Sequence, residues 1–232
     1  VLLPIWREAL TPCDWTRLHA SMVYYGLGVP EGNGTAVITV PGFLGHDLYL
    51  AEMNNWLNRI GYKSYASKIG RNAECPDILV DRLLLTVNRA FNETGEKVHL
   101  IGHSLGGILS RAAANFAPAL VQSVTTLGSP FLGIRSHPTV MMTSKSVRRQ
   151  IHRRAHTRPA HKPMRQHCFS MSCNCPFAQA AKADIEDMIF ETAIYTKTDG
   201  IVDWNVCLTG DPDIDFEVTG THCGLAWNAQ VY

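Results

Sequence analysis

Charge is scarce in this sequence, and long apolar runs are missing altogether. Asp, Glu, Lys and Arg make up 18% of the 232 residues, against 46% hydrophobic residues. That balance excludes a disordered tail and a charge-rich coiled coil, and the absence of any repeat or low-complexity tract excludes a collagen-like chain. A helix needs ~20 consecutive apolar residues to cross a bilayer, and no run approaches that length. No basic–apolar–small secretory signal precedes residue 20, and the chain starts at Val1 rather than Met. The expectation is a protein either cytoplasmic or secreted after loss of a leader. Acid is missing from one stretch. Residues 136–167 hold Lys145, Arg148, Arg149, Arg153, Arg154, Arg158, Lys162 and Arg165, five histidines, and no Asp or Glu. The formal charge of +1 therefore divides into +8 there and −7 in the rest of the chain.

Seven cysteines cannot all pair within one chain, and in a chain this long they do not form a disulfide framework. The one cluster is Cys168, Cys173 and Cys175. Its residues read as partly buried thiols with no metal, a disulfide or a metal site being the alternatives.

A chain of this length fits one domain with an elaborated insertion. Residues 35–40 form a β-branched run ending on Pro41-Gly42, a strand and a turn. Leu50, Met53, Leu57 and Ile60 recur at helical spacing within 47–60. Then follow a strand at 62–69 and a helix from an Asp77 N-cap to Gly95. A strand at 97–101, a helix at 105–116 and a strand at 121–127 come next. Residues 177–190 read as a helix, 192–196 and 214–218 as strands, and Leu225 as the start of a closing helix. Strand and helix alternate, which implies an α/β class: a mostly parallel sheet with helices on both faces. The departure is 131–175, a segment without a clear period between a strand and a helix, of the kind that forms functional lids.

Gly102-His103-Ser104-Leu105-Gly106 places G-x-S-x-G where a strand meets a helix. A serine on so tight a turn projects its hydroxyl above the sheet, and the flanking glycines remove clashing side chains. The helix that starts at Leu105 aims free N–H groups at an oxyanion formed there. A serine hydroxyl needs a base, and the base needs an acid to fix its tautomer, in the chain order Ser, Asp or Glu, His. Of the histidines downstream of Ser104, five lie in the basic segment and His222 lies in a small-residue loop after the last strand, so His222 is the expected base. His103 reads as structural. Asp199, at the end of the 192–196 strand, is the favoured acid, with Asp203 the alternative. The second oxyanion donor comes from the loop after the first strand, at Phe43, beside the N–H of Leu105.

PGFLG, GHSLGG, TLGSP, TKTDGIV and GTHCGL, taken together, resemble the α/β-hydrolase lipases and esterases, most of all those of bacterial triacylglycerol-lipase type. The resemblance runs from about Thr35 onward, and the basic segment is its least comparable part. It implies the α/β-hydrolase fold and a serine carboxylic ester hydrolase working through an acyl-enzyme. It implies Ser104 as nucleophile, His222 as base, and Phe43 and Leu105 as oxyanion donors, with no metal or cofactor. The family's acid stands at D-x-x-V, which Asp199 matches. An acyltransferase using the same triad, or a non-catalytic lipid-binding protein, are the rival readings.

The expected ligand is an ester or lipid-like small molecule, with Leu44, Phe131 and Leu132 in its pocket. Insert residues Ile134, Val140, Met141, Met142 and Phe169 are expected to face the cleft too. Within residues 1–232 taken as a single domain, 131–175 is expected to form a lid whose basic residues face water or an anionic lipid surface. Nucleic acid is not an expected partner, since no aromatics interleave the basic residues before Phe169. Asp211, Asp213 and Asp215 read as a solvated acidic turn rather than a calcium loop.

Overall fold

A computed structural model of the chain describes residues 3–157 and 175–232. A 3-10 turn at Ile5–Leu10 and helix α1 (Thr11–His19) precede the first strand. There follow β1 (Ala36–Val40), α2 (Ala51–Arg59), β2 (Lys63–Ala66), α3 (Pro76–Thr94), β3 (Val98–His103), α4 (Leu105–Phe116) and β4 (Val121–Leu127). After them come α5 (Pro138–Thr157), α6 (Pro176–Lys182), β5 (Phe190–Tyr195) and β6 (Asp215–Glu217). The six strands form one sheet in the order β2-β1-β3-β4-β5-β6, and every pairing is parallel.

Alternation along the strands decides which face each side chain enters. In β1, Ala36, Ile38 and Val40 join the core under α3, α4 and α6, while Val37 turns to the opposite core with Met53, Trp56 and Leu57 of α2. Both faces are thus covered, as a parallel sheet requires. Helix α4 is buried on nearly all sides. Its Gly106, Gly107, Ala112, Ala113 and Ala114 bring its backbone close to the sheet. A Cβ on Gly106 would lie 2.2 Å from the Val40 carbonyl oxygen, so only glycine admits this contact.

Strand order reverses between β1 and β3, and open α/β sheets bind ligands outside the carboxyl ends at such a point. The loop after β1 and the turn after β3 both emerge there.

Several local expectations need correction. Helix α3 is capped at Cys75 with Pro76 at its first position, not at Asp77, whose carboxylate instead accepts the Phe177 N–H at 3.0 Å. The helix expected over 177–190 ends at Lys182, so Phe190 opens β5. The closing helix from Leu225 is a single 3-10 turn, Cys223–Trp227. The segment expected to lack a period contains α5, twenty residues long. Val140, Ser144, Val147 and Ile151 form its inner stripe, which basic and hydroxyl residues dilute in the sequence. Among the described residues, no helix is long and apolar enough to cross a membrane. Cys168, Cys173, Phe169, Arg158, Lys162, Arg165 and two of the five histidines of the basic segment, His161 and His167, lie outside the described residues.

Candidate active site

Ser104 sits between β3 and α4 with φ 52° and ψ −123°, a left-handed conformation that costs a non-glycine residue about 1–3 kcal/mol. The turn is held from both sides: the Ser104 N–H donates to the Leu127 carbonyl at 2.8 Å, and the Ser104 carbonyl accepts from Gly107 at 3.0 Å. A Cβ on Gly42 would stand 3.0 Å from the Ser104 Cβ, so the loop after β1 passes directly beside the serine. Among the described residues, neither the Phe43 nor the Leu105 N–H donates to another group of the chain. Both residues line the same cavity as Ser104.

His222 arrives from the other end of the sheet, in the loop after β6. Its Nδ1 lies 2.6 Å from Asp199 Oδ2, and both side chains are buried. The second oxygen, Asp199 Oδ1, accepts the backbone N–H groups of Ile201 at 2.8 Å and Val202 at 2.7 Å. One carboxylate thus has three donors, which fixes its plane. Burial works against the imidazolium, but the Asp199 carboxylate, its hydrogen bond and the charge of Glu8 outweigh it, so the His222 pKa stands above its ordinary value. Asp203 does not meet the histidine. Its carboxylate caps the 3-10 turn Trp204–Cys207, accepting from the Asn205 backbone at 3.1 Å and side chain at 2.8 Å, with Arg135 3.8 Å away.

The His222 peptide is satisfied on every side. Its carbonyl accepts from His103 Nε2 at 2.9 Å. Burial and the neighbouring His222 push the His103 pKa down to about 3, so His103 is neutral and carries its proton on the donating nitrogen. Tyr49 donates to the next carbonyl, that of Cys223, at 2.6 Å and packs its ring on His103 and Trp227. What remains to the imidazole is Nε2, and His222 is among the residues that line the cavity.

Ser104 and His222 share a cavity of about 590 Å³. Its walls come from the β1 loop (Phe43, Leu44), from Leu105 and Ile108 of α4, and from Val140, Val147 and Ile151 of α5. The lining is mostly apolar, interrupted by Arg148, Glu74 and a few hydroxyls. Leu44, Ile134, Val140 and Met141 are among its lining residues. Phe131 and Leu132 are not: the Phe131 ring lies under the Arg111 guanidinium, 4.6 Å away, and Leu132 is 65% exposed. Met142 also faces solvent. The strand-like stretch before α5 explains this. It is tied to the Asp199 loop by an antiparallel bridge between Ser136 and Val202 and by Leu132 N–H to the Val206 carbonyl, which turns Leu132 away from the serine.

Sequence reasoning missed Glu8, Asp14, Tyr49 and the role of His103. Of these only His103, beside the nucleophile candidate, sits in a motif. Elsewhere, Asp215 accepts three local hydrogen bonds from Thr209 and Gly210, and Asp211 accepts one from the Asp213 N–H.

Residues 94–157 match the family of the alpha/beta hydrolase fold. Two curated proteins, triacylglycerol lipases of Pseudarthrobacter phenanthrenivorans and Burkholderia plantarii, are each 38% identical over 106 residues. That is 42% of this chain and 33% and 30% of theirs, so the match spans about a third of the relatives' length. Among solved structures, a metagenomic carboxyl esterase superposes with a TM-score of 0.54 at 15% identity, covering 84% of this chain and 67% of that one. A monoacylglycerol lipase of Paleococcus ferrophilus does so at 0.51 and 17%, covering 83% and 88%. At such identities the superpositions speak for the fold alone. The chain carries the α/β-hydrolase fold, and the proteins it is similar to within that fold are lipases and esterases.

Proposed function

We propose that the protein is a serine carboxylic ester hydrolase. The observation that carries this is the buried 2.6 Å Asp199–His222 pair facing the cavity into which the left-handed Ser104 turn opens. In this reading Ser104 Oγ attacks the ester carbonyl, and His222 Nε2 takes the hydroxyl proton. Asp199 holds the Nδ1–H tautomer and stabilises the imidazolium. The Phe43 and Leu105 N–H groups receive the oxyanion, and such a donor is worth about 2.7–4 kcal/mol in the transition state. Collapse transfers the proton from His222 to the departing alkoxide, leaving an acyl-Ser104 ester. Water, deprotonated by His222, then releases the acid and regenerates the serine.

The apolar cavity suits the acyl chain, and the curated relatives' activity on triacylglycerols points to lipid-like esters as the substrate class. Helix α5 acts as the lid. Val140, Val147 and Ile151 line the cavity, and Lys145, Arg149 and Arg153 lie exposed at a four-residue spacing that suits an anionic lipid surface. The test is a fluorophosphonate probe followed by peptide mapping. Stoichiometric labelling of Ser104, lost in Ser104→Ala, is the expected result. Folded protein that is not labelled there overturns the reading.

A further inference from the structure

The strongest unassigned feature is a carboxylate far from the motifs in sequence. Glu8, in the 3-10 turn Ile5–Leu10, accepts three backbone N–H groups. Its Oε1 takes Gly200 at 3.0 Å and His222 at 3.1 Å, and its Oε2 takes Cys223 at 2.9 Å. Gly200 follows Asp199, so one side chain ties the loop of the acid to the loop of the base. The fit is close: a Cβ on Gly200 would stand 2.8 Å from the Pro4 carbonyl and 3.0 Å from Glu8 Oε1. A second latch lies about two turns further along. Buried Asp14 of α1 accepts the Thr221 N–H and hydroxyl, both at 2.9 Å, and Thr11 meets the same hydroxyl at 3.0 Å. The segment before the sheet therefore grips three successive residues, Thr221, His222 and Cys223.

We infer that Glu8 is a positioning residue for the hydrolytic reaction, acting through His222 by fixing its loop against that of Asp199 and by placing a negative charge beside the imidazole. This rests on the ester-hydrolase reading above. A base that moves by 1 Å can lose about a hundredfold in rate, and the other anchors here are the His103 bond and a 3.4 Å bond from the Leu225 N–H, both on the His222 carbonyl, and the bond from Tyr49 to the following carbonyl. Among the described residues, the groups around His222 are Asp199, neutral His103, Cys223 and Glu8, with Tyr49 packed on His103 and Asp14 behind Thr221, while Glu74 and Arg148 line the shared cavity. Burial and the charge of Glu8 hold the Cys223 thiol up at about 12, and burial raises the Tyr49 pKa well above its ordinary value, so neither carries charge at neutral pH. The anions near the imidazole are thus Asp199 and Glu8, with Asp14 farther off. Removing the Glu8 charge destabilises the imidazolium. The His222 pKa then falls, and the acid limb of kcat/KM moves to lower pH.

The experiment uses the full chain with p-nitrophenyl butyrate, comparing wild type with Glu8→Gln, Glu8→Asp and Glu8→Ala for kcat, KM, pH profile and thermal midpoint. Glu8→Gln keeps the shape but loses the charge and one acceptor. It is expected to lower kcat about tenfold or more while leaving KM within about twofold, and to shift the acid limb downward. Glu8→Asp should return the limb to its wild-type position. If Glu8→Ala does not fold, Glu8→Gln decides. A Glu8→Gln enzyme with unchanged kcat, or with lowered kcat and an unmoved limb, overturns the inference. Wild-type protein without esterase activity and without fluorophosphonate labelling of Ser104 removes the hydrolase reading, and the inference falls with it.

Discussion

Replacing Asp199 with Asn tests the acid assignment at the level of a single proton. Oδ1 accepts two backbone N–H groups, from Ile201 and Val202, while Oδ2 meets His222 Nδ1. An asparagine there has one oxygen to offer. Turning its amide nitrogen toward the two backbone donors would leave both without an acceptor, at about 1–3 kcal/mol each, or roughly 2–6 kcal/mol together. The oxygen therefore stays with Ile201 and Val202, and the NH₂ group faces Nδ1 at the former 2.6 Å contact. An NH₂ can only donate to Nδ1, so the imidazole must carry its proton on Nε2, pointing at Ser104. A base in that tautomer cannot accept the serine proton. The loss of turnover should approach ~10⁴-fold, and at about 1.36 kcal/mol per decade that is roughly 5 kcal/mol of transition-state stabilisation. Asp203→Asn keeps an acceptor for the Asn205 backbone and should cost less than about threefold. Steady-state hydrolysis of a soluble p-nitrophenyl ester, with thermal midpoints to establish folding, measures both. Equal losses in the two variants, or an Asp199→Asn enzyme retaining a tenth of wild-type turnover, would refute the argument.

Because the Asp199 carboxylate outweighs burial and holds the His222 pKa above the ordinary 6.5, and because the base must be neutral, kcat/KM should rise with pH along a limb centred above that value; a limb below it contradicts the pairing. Gly106→Ala drives a Cβ to 2.2 Å from the Val40 carbonyl and 2.7 Å from that of Pro41, both rigid backbone atoms. Overpacking of this kind costs about 3 kcal/mol, which a calorimetric scan should read as a fall of about 6–12 °C. Hydrolysis of esters in anionic vesicles should fall as salt rises, and reversing Lys145, Arg149 and Arg153 of α5 to Glu should slow it and abolish that salt dependence. Hydrolysis of a soluble ester should be unchanged, since exposed charges act over only about 8–10 Å at physiological ionic strength. Equal effects on both substrates would remove the surface role of the basic face.

What could be read from the sequence was whatever local chemistry spells out. The β1, α4 and β4 expectations agree with the structure to within a residue, because each is a run of one period closed by a turn signal. Gly106 was legible because a strand-to-helix turn against a neighbouring strand leaves no room for a Cβ there. The α5 helix was missed for the converse reason. Its apolar stripe faces a cavity rather than a core, so hydroxyls and arginine interrupt it, and the period weakens where packing does not demand it. Phe131 and Leu132 were misplaced because an apolar side chain at a segment's root does not say which way the root turns. Here the bridge to Val202 decided it.

The N-terminal latch shows a different kind of illegibility. Nothing in Trp6-Arg7-Glu8-Ala9-Leu10 marks Glu8, since its partners lie about two hundred residues away and are backbone N–H groups, which every residue but proline has. A side chain that binds backbone leaves no complementary residue to find. The same is true of Asp14 on Thr221 and of His103 on the His222 carbonyl. Motifs record the groups that would meet substrate. The groups that hold those groups in place act on the main chain, and only the folded geometry reveals them. If Glu8 sets both the position and the charge of the base, local opening of residues 5–20 should lower activity before the sheet unfolds. Fluorophosphonate labelling of Ser104 should then be lost at a lower denaturant concentration than tryptophan or circular-dichroism signals of the core. Coincident loss of labelling and core signals would mean that the latch and the sheet are one cooperative unit.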